Sequence, residues 1–255
     1  MSNTIQEQIQ QKLDDLQQQK DCRLLLAVES GSRAWGYAST DSDYDVRCIY
    51  YYPRERYLAV RLPRDTVEWE LNEVFDINGW ELRKSLGLAL KSNLTVYEWV
   101  DSPIVYRTSP WHEEFRHVLK EVLRPRRLAS RYLGMAASTI HRYLMREVVP
   151  YKQYFYALRP LLAARWTMLE RNPAPVPFAD LRHLLPNDMQ SVTDELLMLR
   201  NGSSEKAEGP AHPAADAFIA RELAALDEMM KFMPDEAEPD TAPLDDFFRR
   251  VIAHA

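Results

Sequence analysis

Two aspartates separated by one residue, Asp43 and Asp45, follow the pair Gly31-Ser32 after ten intervening residues. Residues of these types at this spacing can hold a phosphate and bind a metal beside it. Glycine permits close approach to the backbone, and a serine hydroxyl joins the free N–H groups of a first helical turn in binding phosphate. Two carboxylates on one face repel each other unless a cation lies between them, and hard oxygen donors select Mg²⁺ or Mn²⁺. The pattern predicts a divalent metal with a bound nucleotide, and Ser32 as a phosphate contact.

Short elements must position these groups. The apolar run Leu24-Leu-Leu-Ala-Val28 fits a buried strand ending at Gly31-Ser32. A short helix and a polar turn, Ser39-Thr-Asp-Ser42, lead to a second strand over 43–51, rich in aromatic and β-branched residues. Alternation along that strand puts Asp43, Asp45 and Arg47 on one face. Arg33, beside Ser32, is placed to touch a triphosphate or to pair with an acid, and Trp35 to pack.

The string Glu29-Ser-Gly-Ser-Arg-Ala-Trp-Gly36 with Asp43-x-Asp45 resembles the signature of the DNA polymerase beta nucleotidyltransferase superfamily. Adding Asp76-Ile-Asn-Gly-Trp80, Lys91-Ser-Asn93, Glu98-Trp99 and Ser102-Pro103, the chain resembles a narrower bacterial and phage group, an RNA-repair-pathway polymerase-beta-like family, over residues 22–170. The resemblance implies a third carboxylate on a later strand. Acids stand at 68, 70, 73 and 76. Asp76 is preferred, because it closes a strand over 67–77 and matches the acid before Gly-Trp in the resembled family; Glu70 is the next choice. Asp76 also suits an N-cap for a helix over 77–92. In the superfamily mechanism Asp43, Asp45 and Asp76 hold two metal ions, and pyrophosphate leaves as an acceptor hydroxyl attacks. Asp76 is a candidate general base.

Further along, Lys152, Tyr156 and Arg159 recur on one helical face, where a β- and γ-phosphate could be held. The resembled family carries a similar pattern, and the same face also suits a tyrosine-rich core with snorkelling cations. The nucleotide-binding set is therefore Gly31, Ser32, Arg33, Lys152, Tyr156 and Arg159. Lys84 and Lys91 form a weaker set, with Asn93 a ribose contact or a helix cap. Trp99 reads as core and Glu98 as a polar partner.

With 255 residues, 46% of them apolar, the chain can bury a large core in two lobes. The expected fold class is α+β: a polymerase-beta-like catalytic lobe with a mixed sheet over 1–108, then a helical lobe over 109–255. Helices are expected at 4–20, 111–123, 127–147, 151–171, 216–233 and 244–253, a short element over 97–105, and no strands after 111. Residues 201–215 read as a mobile loop, and 234–243 as an acidic, flexible link.

The net charge of −6 argues against a protein that coats nucleic acid by bulk attraction. Arg124-Pro-Arg-Arg127 with Arg131 is a candidate local footprint, or a helix entry paired with acids such as Glu121. Cys22 and Cys48 are too few for a disulfide framework or a zinc site and read as reduced and structural. The histidines show no metal-ligand spacing. No membrane span or leader pattern is present, so the expected location is cytoplasmic. The expected activity is transfer of a nucleoside monophosphate from a nucleoside triphosphate, ATP among them, to an RNA 3′ hydroxyl. Protein or small-molecule hydroxyls, and a catalytically silent nucleotide-binding role, stay open, as does homodimer formation.

Overall fold

The first strand, β1 (Arg23–Glu29), is covered on both faces and therefore apolar almost throughout. It pairs antiparallel with β2 (Tyr44–Tyr51) on one side and with β5 (Val105–Thr108) on the other. Beyond β2 lie β4 (Phe75–Glu81), parallel to it, and β3 (Thr66–Leu71), antiparallel to β4. The mixed sheet has the order β3-β4-β2-β1-β5. The computed structural model describes residues 4–39, 41–201 and 207–254.

The two faces of the sheet have different partners, as the period-two alternation of side chains requires. Leu24, Ala27, Val46, Cys48, Tyr50 and Ile77 face α1 (Ile5–Lys20). That helix begins with a capping box between Thr4 and Glu7, and it buries Ile9, Leu13 and Leu16 completely. Each of these side chains contributes about 1.5–3 kcal/mol by leaving water. Leu25, Val28, Ile49 and Tyr51 lie in the other core, under the helices. On β2 and β4 the same alternation carries Asp45, Arg47, Asp76 and Asn78 to this helical side.

The helices of that side begin with α2 (Gly31–Trp35), directly after β1, whereas α3 (Arg54–Tyr57), a single turn after β2, buries Tyr57 in the core shared with α1. Next come α4 (Leu82–Ala89), α5 (Leu94–Val100), α6 (His112–Glu121), α7 (Pro125–Thr139) and α8 (Lys152–Glu170). Then follow α9 (Phe178–Leu181), α10 (Asn187–Asn201), α11 (Pro213–Phe232) and α12 (Ala242–Ala253). One hydrophobic core joins Leu25 and Val28 of the sheet to Tyr154, Phe155 and Leu158 of α8, and so runs across residue 108 without a break. The last helix returns to the first half of the chain, where Phe248 meets the ring of Tyr57 edge-on at 5.3 Å.

The chain is α+β with a mixed sheet, as expected, but several element boundaries differ. The strand expected over 67–77 is a hairpin of two strands, because Asn72 turns the chain by accepting the N–H groups of Val74 and Phe75. The helix expected over 77–92 starts only at Leu82 and is capped by Glu81, so Asp76 lies inside a strand and caps nothing. Asn93 opens α5 by accepting the N–H of Thr95; it does not close α4. Strands also do not end at 111. Val148–Pro150 (β6) and Glu208–Pro210 (β7) pair antiparallel, so part of the loop expected over 201–215 is strand and the start of α11. Residues 202–206 of that loop, and Thr40 of the turn at 39–42, lie outside the described residues.

The acidic link over 234–243 is fastened to the rest of the fold. Glu238 lies 2.6 Å from Arg124, Glu236 accepts the N–H of Arg126 at the start of α7, and Asp235 pairs with Arg126. Arg124, Arg126 and Arg127 thus pair with these acids, Arg131 donates to the carbonyl of Lys91 at 3.2 Å, and Glu121 pairs with His117. No helix among the described residues is long and apolar enough to cross a membrane.

Candidate active site

Gly31 begins α2 with a φ of +62°, a left-handed conformation that glycine adopts without strain. A second constraint is steric: a Cβ at this position would stand 2.2 Å from Oδ2 of Asp45. The turn and the first carboxylate are therefore in close contact, and residue 31 must have no side chain. Ser32 is buried, and its carbonyl accepts the N–H groups of Gly36 and Tyr37.

Asp45 lies directly opposite Asp76 in the parallel register of β2 and β4. Both carboxylates are about a quarter exposed, at 23% and 26% of the side chain. Between them lies the guanidinium of Arg47, whose Nη2 donates to Oδ1 of Asp45 at 2.6 Å and to Oδ2 of Asp76 at 2.7 Å. The other oxygen of Asp76 accepts from Asn78 at 3.3 Å. Asp43 stands one residue before β2, and its carbonyl accepts from Nε of Arg33 at 2.9 Å.

Among the described residues no group of three or more His, Cys, Asp or Glu side chains is gathered as a metal cage. The Asp45–Asp76 pair nevertheless fits a divalent cation. Two carboxylate oxygens from different strands converge on one positively charged atom, solvent reaches both, and Mg²⁺ characteristically takes one or two carboxylates together with water and substrate phosphates. Glu70, the other candidate for the third acid, is on β3 and pairs with Lys12 at 2.5 Å and with Asn72 at 2.7 Å. The register brings Asp76, and not Glu70, to Asp45.

A buried acid supports this pair from behind. Glu29 is fully buried, accepts the N–H of Asp45 at 2.8 Å, and receives the hydroxyl of Tyr106. Burial pushes its carboxyl up to about 7, against the lowering effect of these two donors. Its own carbonyl accepts the Ser102 hydroxyl at 2.6 Å. Glu29 stands in the quoted motif, yet nothing in its spacing reveals a role; only the pairing of β1 with β2 does. Arg47 was legible as a same-face residue, but its bridge to β4 depends on the strand order.

The expected nucleotide-binding residues separate into two groups. Gly31, Ser32 and Arg33 surround the turn, though the guanidinium of Arg33 is used locally, on the carbonyls of Ser42 and Asp43 and over the ring of Tyr44 at 3.8 Å. Tyr156 of α8 packs edge-on against Trp35 of α2 at 5.2 Å, and both it and Lys152 are half-buried. Arg159 is placed otherwise than expected. It is 1% exposed, donates to Glu98 at 2.8 Å and to the carbonyl of Val176 at 2.8 Å, and lies 4.8 Å over the ring of Trp35. Seven residues beyond Lys152, it has turned into the core, where Glu98 neutralises it, and presents no open phosphate surface. Glu98 also accepts from Nε1 of Trp35, and Trp99 stacks on Trp80 at 4.1 Å.

A groove of about 560 Å³ opens beside this turn, lined by Ser30 and Trp35 together with Asn93, Glu98, Arg131 and Met135. Lys84 pairs with Asp65 at 3.4 Å and is not part of it. Cys22 and Cys48 are free and buried, and burial pushes both thiols up to about 12, which leaves them unreactive.

Residues 5–250 match the model of the RNA repair pathway DNA polymerase beta family. The chain is 35% identical over 243 residues to the uncharacterized protein YcgL of Bacillus subtilis strain 168, with 94% of each chain covered. A crystal structure of a nucleotidyltransferase-like protein from Exiguobacterium sibiricum aligns over 99% of this chain and 81% of that one, at 14% identity and a TM-score of 0.32.

Proposed function

This chain belongs to the RNA repair pathway DNA polymerase beta family, and from that premise and the site above we propose that it is a metal-dependent nucleotidyltransferase. It transfers a nucleoside monophosphate from a nucleoside triphosphate to an acceptor hydroxyl, with an RNA 3′ end as acceptor, and releases pyrophosphate. The observation that carries the reading is the pairing of Asp45 with Asp76 across two parallel strands, beside a glycine turn that only an absent side chain allows so close.

In this reading Asp45 and Asp76 hold Mg²⁺ or Mn²⁺, and Asp43, at the mouth of β2, adds a third carboxylate toward the nucleotide. The ion, when bound, supplies Lewis-acid polarisation of the phosphoryl oxygens and charge neutralisation for an in-line displacement. The protein's own groups do the rest. Gly31 and Ser32 present backbone N–H groups and a hydroxyl to the triphosphate, and Lys152 and Tyr156 approach from α8. Glu29 fixes the backbone of Asp45, so the carboxylate is aimed before substrate arrives. Asp76 is the candidate to accept the proton of the acceptor hydroxyl.

The test is incubation of the protein with each α-labelled nucleoside triphosphate, Mg²⁺ or Mn²⁺, and separate RNA, protein and small-molecule pools. Label on RNA ends with wild type, and none with Asp45→Asn, supports the reading and names the nucleotide. Label confined to another pool overturns the RNA assignment alone. Absence of metal-dependent label in every pool overturns transfer.

A further inference from the structure

Arg47 occupies the place at which the two carboxylates converge. Its Nη2 bridges Asp45 and Asp76, while Nη1 donates to the carbonyl of Asp76 at 2.7 Å and to that of Val46 at 3.3 Å. The side chain is only 14% exposed, so the guanidinium is held from several directions and is not a loose surface group. We infer that Arg47 is a positioning residue that keeps Asp45 and Asp76 together, and that a divalent ion held by the same two carboxylates must displace its Nη2 to bind. The inference rests on the reading of Asp45 and Asp76 as metal ligands.

The physical argument is one of competition. Two carboxylates facing each other on adjacent strands repel in the absence of a positive charge, and a low-dielectric flank strengthens that repulsion. Arginine removes it with two short charge-assisted bonds. The same two bonds are lost when an ion takes the shared position, so the observed affinity for a metal is its intrinsic affinity reduced by the cost of releasing Arg47. A guanidinium cannot relieve this by losing its proton, since it stays charged at any working pH. The exchange therefore has to occur by movement of the side chain. Without Arg47, the two carboxylates lose the cation they share, and a divalent ion can take its place.

The test measures Mn²⁺ binding to the full chain by the electron paramagnetic resonance signal of the free ion, with melting temperature followed in parallel. Arg47→Gln is expected to bind Mn²⁺ at least tenfold more tightly than wild type, to melt lower without metal, and to gain more in melting temperature on adding Mn²⁺. A merely structural arginine gives the lower melting temperature without the tighter binding, so unchanged or weaker affinity in a folded Arg47→Gln overturns the inference. Arg47→Lys keeps one charge with fewer donors and serves if the glutamine variant does not fold. Its affinity is expected to exceed that of wild type at least threefold, and equality overturns the inference too. Asp45→Asn and Asp76→Asn separate the two levels of argument. If neither weakens Mn²⁺ binding, the metal-site reading itself falls; if both weaken it and Arg47→Gln does not tighten it, only the competition is wrong.

Discussion

Two arginine–carboxylate clusters in this molecule use the same groups in opposite surroundings. Arg159 and Glu98 meet at 2.8 Å with side chains 1% and 7% exposed, sealed by Trp35 and by the carbonyl of Val176. Arg47 meets Asp45 and Asp76 at similar distances, but the two acids are 23% and 26% exposed. The buried pair meets solvent only where Glu98 lines the groove, and it fixes α8 against α5. The open triad is partly exposed to solvent, which the proposed exchange with a metal ion requires. Pairing distance is alike in the two clusters; access to solvent is what differs.

The largest effect that can break this comparison is expected at the sealed pair. Arg159→Met leaves Glu98 buried without its cation, with only Trp35 as donor, a change that typically costs about 3–5 kcal/mol, measurable by denaturant unfolding. The double variant Arg159→Met/Glu98→Leu should recover most of that loss. If Arg159→Met instead keeps its stability and raises KM for the nucleotide, Arg159 belongs with the nucleotide-binding residues after all.

Next in size is the open triad. Asp45→Asn or Asp76→Asn is expected to reduce transfer at least a hundredfold, about 2.7 kcal/mol in the barrier, while circular dichroism shows an unchanged fold. Retained turnover in either variant would show that the pair carries no chemistry.

A buried acid without a sealing arginine tests the solvent argument by pH. Glu81 is buried, accepts the Tyr57 hydroxyl at 2.6 Å and the N–H of Arg83 at 2.8 Å, and burial raises its pKa above the ordinary 4.5 in spite of these donors. The folded chain thus holds this proton more firmly than the unfolded chain. Its contribution to stability is complete below pH 4.5 and is lost as pH rises from there through the raised value. Glu81→Gln should flatten that decline, which for one group cannot exceed about 1.4 kcal/mol per pH unit; an unchanged slope of melting temperature against pH would assign the decline elsewhere.

The smallest effect sharpens the choice of acid on the β3–β4 hairpin. Glu70→Gln removes a half-screened pair with Lys12, so a change below about 1 kcal/mol and near-normal transfer are expected. A loss matching that of Asp76→Asn would mean that the register of β3 and β4 differs from the one described.

Where sequence and structure part company, the reason is pairing across the chain. The alternation at 43–51 was enough to place Asp45 and Arg47 on one face, because side chains in a strand alternate whatever lies beside them. It extended that strand one residue too far, to Asp43, since ends depend on where hydrogen bonds to neighbouring strands stop. The helical face of Lys152, Tyr156 and Arg159 was likewise legible as a period, yet period does not say whether the face meets solvent or core. Glu98 decided that for Arg159 from 61 residues away.

Residue types and their spacing specify the chemistry available: a glycine-serine turn, closely spaced carboxylates, an arginine on their strand, and an α+β alternation of elements. These are local properties, set by residue type, backbone freedom and period. Tertiary contacts alone settle which acid on the hairpin meets Asp45, which arginine is fully buried and which is partly exposed, and that Glu29 holds the backbone of Asp45. Each of those outcomes is a contact between segments distant in sequence, whose energy depends on strand order and burial, and neither quantity is encoded in any single stretch of the chain.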